Sequence, residues 1–313
     1  MRPRAPEKRA HRLIESLALL LGLGMACTAL AQNDVTVLPK GRSVASIALQ
    51  NLFTDKHAGP VGQRAFAGTI TTNSVFLNYE YGLTDRLTLS AGLPYKSSKY
   101  SGEFGHDPAQ LIDPHGQHKI DDGDFHAGWQ DLSVSVRYAW IRKKWMVTPY
   151  LTYGTPMREY VTFAHAAIGT GQWRVEGGVS AGRQFSGRLR NLYYVGGLSY
   201  TWLEKTDRTV NHATFTSELG WFFNEKWSVH TNIAVQKSFN GFEFPDDFPL
   251  PRNDDHFFYH DMNLRNDFSN IGFGVDWQVT DADRLFLSQG HTMHGENTHI
   301  LKYVLTLGYS HAF

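Results

Sequence analysis

The sequence predicts an all-β protein, a transmembrane antiparallel up-and-down β-barrel of about 12 strands. Three observations predict this fold. Apolar and polar residues alternate with a period of two along many segments, short and long connections alternate between those segments, and an alternating segment ends the chain at Phe313. The composition agrees, because charged residues make up 19% of the chain and aromatic residues 13%, whereas soluble domains carry roughly 25% charged residues.

Charge and cysteine content exclude several classes of protein. The 313 residues include 30 Lys+Arg and 30 Asp+Glu, and a nucleic-acid binder normally has a basic excess. Cys27 is the single cysteine, so an internal disulfide, a Cys-rich zinc site and a CxxC redox pair are excluded. No motif calls for a cofactor, and we predict none.

Residues 1–31 have the parts of a secretory signal peptide. The basic n-region contains Arg2, Arg4, Lys8, Arg9 and Arg12. A short apolar run covers residues 17–26, and the sequence Ala29-Leu30-Ala31 fits the small-x-small cleavage rule. Cleavage after Ala31 removes five basic and two acidic residues. Residues 32–313 then keep 25 Lys+Arg and 28 Asp+Glu, a net charge of −3.

A lipoprotein, with Cys27 as the acylated first residue, is the alternative. A Leu is expected three residues before such a cysteine, and Gly24 occupies that position. Beyond the leader, no segment reaches 18 continuous apolar residues, so we expect no transmembrane helix. Two classes remain, a soluble exported protein and a transmembrane β-barrel. The second remains because barrel strands alternate apolar with polar residues and so give no long apolar run.

The period-two pattern defines five hairpins, a final strand and an N-terminal strand at residues 45–49. In the first hairpin, residues 73–81 and 87–93 place apolar side chains at odd positions on both sides of a five-residue turn. The final strand alternates from Leu301 to Tyr309 and ends at Phe313. An even number of strands lets the first and last meet and close the sheet.

Connection lengths favour a membrane barrel over a soluble β-sandwich. The short connections are 82–86, 141–144, 184–190, 223–226 and 280–284. The long ones are 52–68, 96–128, 156–170, 203–211 and 240–267, and a brief one at 295–297 takes the last long-loop place. Outer-membrane barrels sort their connections this way, with short periplasmic turns and long extracellular loops. Aromatic residues near strand ends suit interfacial belts: Tyr81, Tyr95, Trp140, Trp145, Trp202, Trp221 and Trp227.

Three stretches resemble a family of Gram-negative outer-membrane β-barrel transporters that includes the MetA-pathway phenol-degradation group. They are YEYGLTDRLTLSAGLPY (79–95), GWQDLSVSVRYAW (128–140) and TPYLTYGTP (148–156). The family tends to show Gly-Asp-Leu where this chain has Gln130-Asp131-Leu132, and Pro before Gly where Gly154 precedes Pro156. FAHAAIG (163–169) and YHD (259–261) resemble a related branch. The resemblance implies an outer-membrane barrel that passes small or hydrophobic molecules, and no catalytic residues.

The C-terminal strand resembles the signal by which the barrel-assembly machinery recognises outer-membrane proteins. Its terminal residue, Phe313, follows an alternating apolar strand. The alternative is a sheet strand that happens to end in Phe. With a leader and eleven other strands in the same chain, we favour the assembly signal, and we expect outer-membrane lipid to surround the barrel.

Charged residues on the polar side of the strands should face the lumen, because each would cost several kcal/mol in lipid. The predicted lumen residues are Glu80, Asp131, Arg137, Arg174, Glu176, Glu218, His230, Asp276 and Lys302. These charges either pair and plug a narrow barrel or line a water-filled path. Twelve strands lie between the filled eight-stranded and the open sixteen-stranded barrel, and mixed signs favour pairing.

Histidine and carboxylate residues crowd two long loops. One contains His106, Asp107, Asp113, His115, His118, Asp121, Asp122, Asp124 and His126, and the other contains Asp246, Asp247, Asp254, Asp255, His256, His260 and Asp261. These residue types bind zinc and similar ions, and His115, His118 and His126 are the candidate metal ligands. Exposed polar loops are the alternative. The Phe-rich residues 239–248 form either a hydrophobic entry patch or a loop over the barrel mouth.

Ser288, His291 and His294 are the candidate catalytic trio. Ser288 and His291 differ by three positions, so they should point to opposite faces of a strand and cannot form a nucleophile–base pair. We therefore predict no enzyme. The predicted function is passive passage of a small-molecule solute, and the alternative is a closed barrel that contacts a partner through its loops.

Overall fold

The computed structural model describes residues 35–108, 116–243 and 258–313, which form one closed antiparallel sheet of twelve long strands. The strands are β1 Ser43–Ala58, β2 Thr69–Thr84, β3 Leu87–Ser101, β4 His126–Trp129 with Asp131–Tyr138, β5 Met146–Pro156, β6 Arg174–Gln184, β7 Leu192–Leu203, β8 Asn211–Phe222, β9 Trp227–Phe239, β10 Asp267–Gln278, β11 Asp283–Glu296 and β12 Thr298–Ala312. Short elements are the strands Arg64–Ala65 and Ile141–Arg142, the 3₁₀ turn Gly187–Leu189 and the helix His260–Asn263. The predicted leader, residues 1–31, lies outside the described residues.

Each strand pairs with its neighbours in the sequence, and β1 closes the sheet by pairing with both β2 and β12. Leu49 lies opposite Val75 of β2 and Leu307 of β12. A closed sheet has no edge strand with unpaired backbone groups. The predicted up-and-down barrel of twelve strands is confirmed.

Local side-chain hydrogen bonds set the short turns. The Asn224 side-chain oxygen accepts hydrogen bonds from the backbone N–H groups of Lys226 (2.8 Å) and Trp227 (3.0 Å). The Thr280 hydroxyl accepts one from the Asp283 N–H at 3.0 Å. Asn and Thr stabilise reversals in this manner. The five short turns and both sheet termini lie at one end of the barrel, here named the turn end, and the long connections lie at the loop end.

The polarity of the two faces of the sheet is the reverse of that in a soluble protein, where apolar side chains point inward. On β12, Leu305 and Leu307 are 46% and 49% exposed, whereas Thr306 and Ser310, at alternate positions, are 3% and 2% exposed. The apolar side chains therefore point outward and the polar side chains point into the barrel. No helix among the described residues is long and apolar enough to cross a membrane.

Aromatic side chains form two outward-facing belts. Trp227 and Trp277 stack with ring centroids 5.3 Å apart near the turn end. Tyr95 and Trp129 meet edge to face at 5.2 Å on the other side of the apolar band, where Trp202 is also exposed. Tyr and Trp suit the membrane interface because each has an apolar body and a polar group.

Two strands extend further than the sequence predicted. β1 continues to Ala58 and β3 to Ser101, so parts of the predicted loops 52–68 and 96–128 are strand. Polar residues such as Lys96 break the apolar alternation but not the strand pairing, because Lys96 lies opposite Ser74 of β2. The connection between β11 and β12 is a single residue, Asn297, with a positive φ of 49°, which agrees with the brief connection expected there.

Candidate functional site

The interior of the barrel is lined mainly by small polar side chains. Buried serine and threonine residues from most strands point inward: Ser74, Ser90, Ser133, Ser180, Thr216, Ser228, Thr306 and Ser310. The wall of an eight-stranded barrel encloses just enough space for its own side chains, and the diameter grows with strand number. A twelve-stranded wall with small side chains therefore leaves room for water or for other parts of the chain.

Charged residues on the inner wall are paired. Glu80 on β2 is 2% exposed and forms an ion pair with Arg137 on β4, and it also accepts a hydrogen bond from the Asn78 side chain at 3.1 Å. Asp131 pairs with Arg174 at 3.1 Å. Pairing offsets part of the cost of taking each charge out of water.

A second group surrounds Asp276, which is 1% exposed. This carboxylate pairs with Arg284, accepts a hydrogen bond from the Ser228 hydroxyl at 3.2 Å, and lies 3.1 Å from the His230 ring nitrogen Nδ1. The sequence analysis did not single out Arg284. Its position at the start of β11, on the polar side of the alternation, was the signal that could have found it.

Buried phenols bind the remaining inner-wall carboxylates. The Tyr150 hydroxyl donates to Glu176 at 2.7 Å, and the Tyr193 hydroxyl donates to Glu218 at 2.8 Å. These tyrosines were missed because a tyrosine in an alternating strand reads as an outward residue. The inner wall thus combines opposite charges and phenols, and its named carboxylates all have a partner.

Lys302 differs from the prediction that it faces the lumen. The register between β1 and β12 passes from Phe53↔Tyr303 to Thr54↔Leu301, so Lys302 is the extra residue of a β-bulge. Its side chain is 59% exposed, pairs with Asp55 at 2.9 Å and lies over the Phe53 ring. The bulge turns this side chain to the outer side, near the loop end.

Residues 35–40, here named the inner segment, pass through the interior near the turn end. The Leu38 N–H donates to the Thr88 hydroxyl of β3, and the Thr148 hydroxyl of β5 donates to the Val35 carbonyl, both at 2.7 Å. A side chain at Gly82 of β2 would collide with the Pro39 carbonyl. Because its partners lie on strands from β2 to β5, the segment crosses the lumen instead of following one strand.

The inner segment is also held by apolar packing. Val35 is 1% exposed and packs against Tyr193 and Val195 of β7, with Met146 and Phe222 beside them. This small cluster and a second one, formed by Ala48, Phe76 and Phe286, are apolar patches on a mainly polar inner wall. The cluster around Val35 stabilises the segment inside the barrel, and the segment narrows the path at the turn end.

At the loop end, two connections are joined by one buried carboxylate. Asp121, in the β3–β4 connection, accepts backbone N–H hydrogen bonds from His106 (2.8 Å), His165 (3.0 Å) and Ala166 (2.8 Å). Burial alone would raise the pKa of Asp121, but the His106 side chain and these backbone hydrogen bonds lower it below its usual value. An ionised Asp121 therefore holds the β5–β6 connection, residues 157–173, against the β3–β4 connection.

A third connection reaches the same place from the opposite wall. Phe258, in the β9–β10 connection, is 3% exposed and stacks on Phe163 with centroids 5.3 Å apart. Phe242 is 1% exposed beneath the Arg208 guanidinium. Of the Phe-rich residues 239–248, those after Glu243 lie outside the described residues, and the buried Phe242 favours a loop folded over the mouth.

Histidines from these connections meet above the lumen. His106, His165, His260 and Asp261 form the mouth cluster, with ring centroids of His106 lying 4.3 Å from His165 and 5.1 Å from His260. The His106 Nε2 atom lies 3.7 Å from an Asp261 carboxylate oxygen. Burial lowers the pKa of His165, so its imidazole is neutral near pH 7.

The metal ligands suggested by the sequence lie elsewhere. His115 is outside the described residues, His118 is exposed, and His126 is bonded to Asp122 at 2.9 Å. The candidate catalytic residues behave as expected from strand geometry, because Ser288 is on the inner side of β11 and His291 is exposed on its outer side.

No family model and no curated protein matches this sequence. Solved structures do match. The COG4313 outer membrane channel from Pseudomonas putida F1 superposes with a TM-score of 0.66 at 16% identity, covering 93% of this chain and 100% of that chain. The translocator domain of the autotransporter NalP from Neisseria meningitidis gives a TM-score of 0.51 at 11% identity, covering 98% and 96%. The chain has the fold of these outer-membrane barrels.

Proposed function

We propose that this protein is a passive channel for small solutes in the outer membrane of a Gram-negative bacterium. The observation that carries the proposal is a closed twelve-stranded wall whose outer face is apolar and whose inner face is built from small polar side chains. The diameter of a barrel grows with strand number, and twelve strands lie between the filled eight-stranded barrel and the open sixteen-stranded channel. The similar solved structure from Pseudomonas putida F1 is described as a channel, which supports the same function.

The inner wall fits an uncharged or weakly charged solute. Its arginines occur in pairs with carboxylates, such as Glu80–Arg137 and Asp131–Arg174. Glu176 and Glu218 are bound by uncharged phenols, so the named residues leave a small excess of carboxylates along the path. Apolar side chains at the two ends, Val35 below and Phe163 with Phe258 above, suit contact with a hydrophobic or aromatic solute. Passage of such a solute is the finer part of the proposal.

A closed barrel that binds a partner through its loops is the second candidate function. The inner segment crosses the turn end, and three connections meet over the loop end. If both obstructions are permanent, solutes do not pass. The two candidate functions differ in one measurable property, the ion conductance of the purified barrel.

Planar-bilayer recording tests the proposal. We expect the purified protein to give discrete single-channel steps with a weak preference for cations, because most inner-wall charges are paired but Glu176 and Glu218 have phenols as partners. A folded protein that inserts and stays silent would contradict the channel and support the closed barrel. Heat-modifiable migration on a gel is the control that the silent protein is folded.

The proposal also covers how the protein is exported and assembled in the outer membrane. We propose that residues 1–31 are removed as a signal peptide, that no catalytic step is involved, and that Phe313 and its strand are read by the barrel-assembly machinery. The Phe313 side chain is 59% exposed at the turn end, where another protein could contact it. Mass spectrometry of the exported protein should give a chain that begins at Gln32.

A further inference from the structure

The mouth cluster contains two sets of potential metal ligands that share His106. One set is His106, Asp121 and His165, and the other is His106, His260 and Asp261, and in each set the ligand atoms lie within 4.8 Å of one another. Both sets come from segments that are distant in sequence. The two sets differ in how far their carboxylates are already occupied.

The Asp121 carboxylate is already occupied by backbone N–H groups. Its two carboxylate oxygens accept three N–H hydrogen bonds, from His106, His165 and Ala166. A metal ion would have to compete with these bonds, which join two connections. The first set is therefore better explained as a structural link between the β3–β4 and β5–β6 connections.

Asp261 differs from Asp121 in its hydrogen bonding. Its Oδ2 atom is buried without a hydrogen-bond partner, as is the His106 Nδ1 atom. Two imidazole nitrogens lie near the Asp261 carboxylate. The His260 Nε2 atom is 3.1 Å from Oδ1, and the His106 Nε2 atom is 3.7 Å from Oδ2. A buried polar atom without a partner is costly, and a bound cation would remove that cost at Asp261.

The distances suit a zinc-like ion. Ligand bonds of about 2.0–2.1 Å in a tetrahedral site place neighbouring ligand atoms about 3.3 Å apart. The His260 Nε2 atom lies 3.1 Å from Asp261 Oδ1, the His106 Nε2 atom lies 3.7 Å from Asp261 Oδ2, and the ligand atoms of the set lie within 4.8 Å of one another. The imidazoles are mostly shielded, with His260 6% and His106 11% exposed, whereas Asp261 is 32% exposed. The exposed part of the Asp261 side chain gives an ion from solvent a path to the site.

The position of the ligands in the barrel gives such a site a mechanical consequence. His106 belongs to the β3–β4 connection, and His260 with Asp261 belongs to the β9–β10 connection. In a closed sheet of twelve sequential strands, these connections are six strands apart, which places them on opposite walls. One ion held by both would cross-link the loops over the mouth.

We propose that His106, His260 and Asp261 form a site for a divalent transition-metal ion such as Zn²⁺, which fastens the β3–β4 and β9–β10 connections together across the loop end. Two imidazole nitrogens and one carboxylate leave a fourth position for water. The site does not depend on the channel function, because a barrel that is silent in bilayers can still bind the ion.

Calorimetric titration of metal-stripped protein in detergent with ZnCl₂ tests the site. We expect saturable binding of one ion, with affinity weakened by at least roughly 10- to 100-fold, the loss typical of even a second-shell change, in Asp261→Asn and in His106→Ala. The matched control is the double variant His118→Ala/His126→Ala, which removes histidines of the same connection outside the cluster and should bind as the parent does. Asp261→Asn keeps the shape of the side chain, so it remains informative if His106→Ala does not fold.

Hydrogen exchange tests the cross-link. Zn²⁺ should slow exchange in both connections of the parent and in neither connection of Asp261→Asn. Absence of saturable binding would overturn the proposal, as would binding that survives Asp261→Asn, binding lost in the His118/His126 control, or protection confined to one connection. Each of these results leaves the conductance test of the channel unaffected.

Discussion

Deletion of residues 35–39 is expected to raise the single-channel conductance several-fold. The inner segment crosses the lumen near the turn end, held by hydrogen bonds to Thr88 and Thr148 and by packing of Val35 against Tyr193. Its removal leaves only the inner wall, including Thr88, Thr148 and Tyr193, to line that level among the described residues. Recording from the purified variant in planar bilayers measures the effect directly.

A replacement variant separates the obstruction from the packing. If residues 35–39 are replaced by five Gly and Ser residues, the chain length is kept but the apolar contacts of Val35 are lost. We expect frequent transitions between the parent conductance and the higher level, since the segment is then weakly held. A folded deletion variant with the parent conductance would show that the inner segment does not limit the path.

Breaking the Glu80–Arg137 pair from one side is expected to destabilise the barrel strongly. Glu80→Gln leaves a guanidinium in a site where the carboxylate is 2% and Arg137 8% exposed. Loss of one partner of a buried ion pair costs about 3–5 kcal/mol. The free energy of unfolding, from urea titration in lipid vesicles, measures this cost.

Two further variants show whether the cost comes from the uncompensated charge. Glu80→Gln combined with Arg137→Met removes both charges and should recover much of the lost stability. Lys302→Gln breaks the exposed pair with Asp55 and should cost roughly 0–1 kcal/mol. Equal losses for Glu80→Gln and Lys302→Gln would contradict the buried pairing.

The strands and their two faces could be predicted from the sequence because each depends on neighbouring residues. The alternation at residues 303–309 is sufficient to define β12 and its lipid-facing side. Lys302 and Leu301 were placed on the wrong sides because a bulge at Lys302 shifts the alternation, so that Lys302 is exposed and Leu301 is buried. Bulges depend on how two strands pair, and in this case the partner is Phe53 at the other end of the chain.

The two obstructions of the lumen could not be predicted because they depend on contacts between distant segments. Nothing in the sequence of residues 35–39 indicates packing against Tyr193. The metal hypothesis was drawn from histidines close in sequence, His115, His118 and His126. The structure instead brings His106 to His260 and Asp261, more than 150 positions away, because the closed sheet places their connections over one mouth.

Spin-label accessibility along β12 tests the central claim most directly. Single cysteines at positions 303–310, in a chain whose only native cysteine is Cys27, are labelled in lipid vesicles and exposed to oxygen, which partitions into lipid, and to a polar nickel chelate. We predict a period of two, with oxygen accessibility highest at Tyr303, Leu305, Leu307 and Tyr309. Uniform accessibility, or oxygen maxima at the positions of Thr306 and Ser310, would contradict a barrel whose apolar face meets lipid.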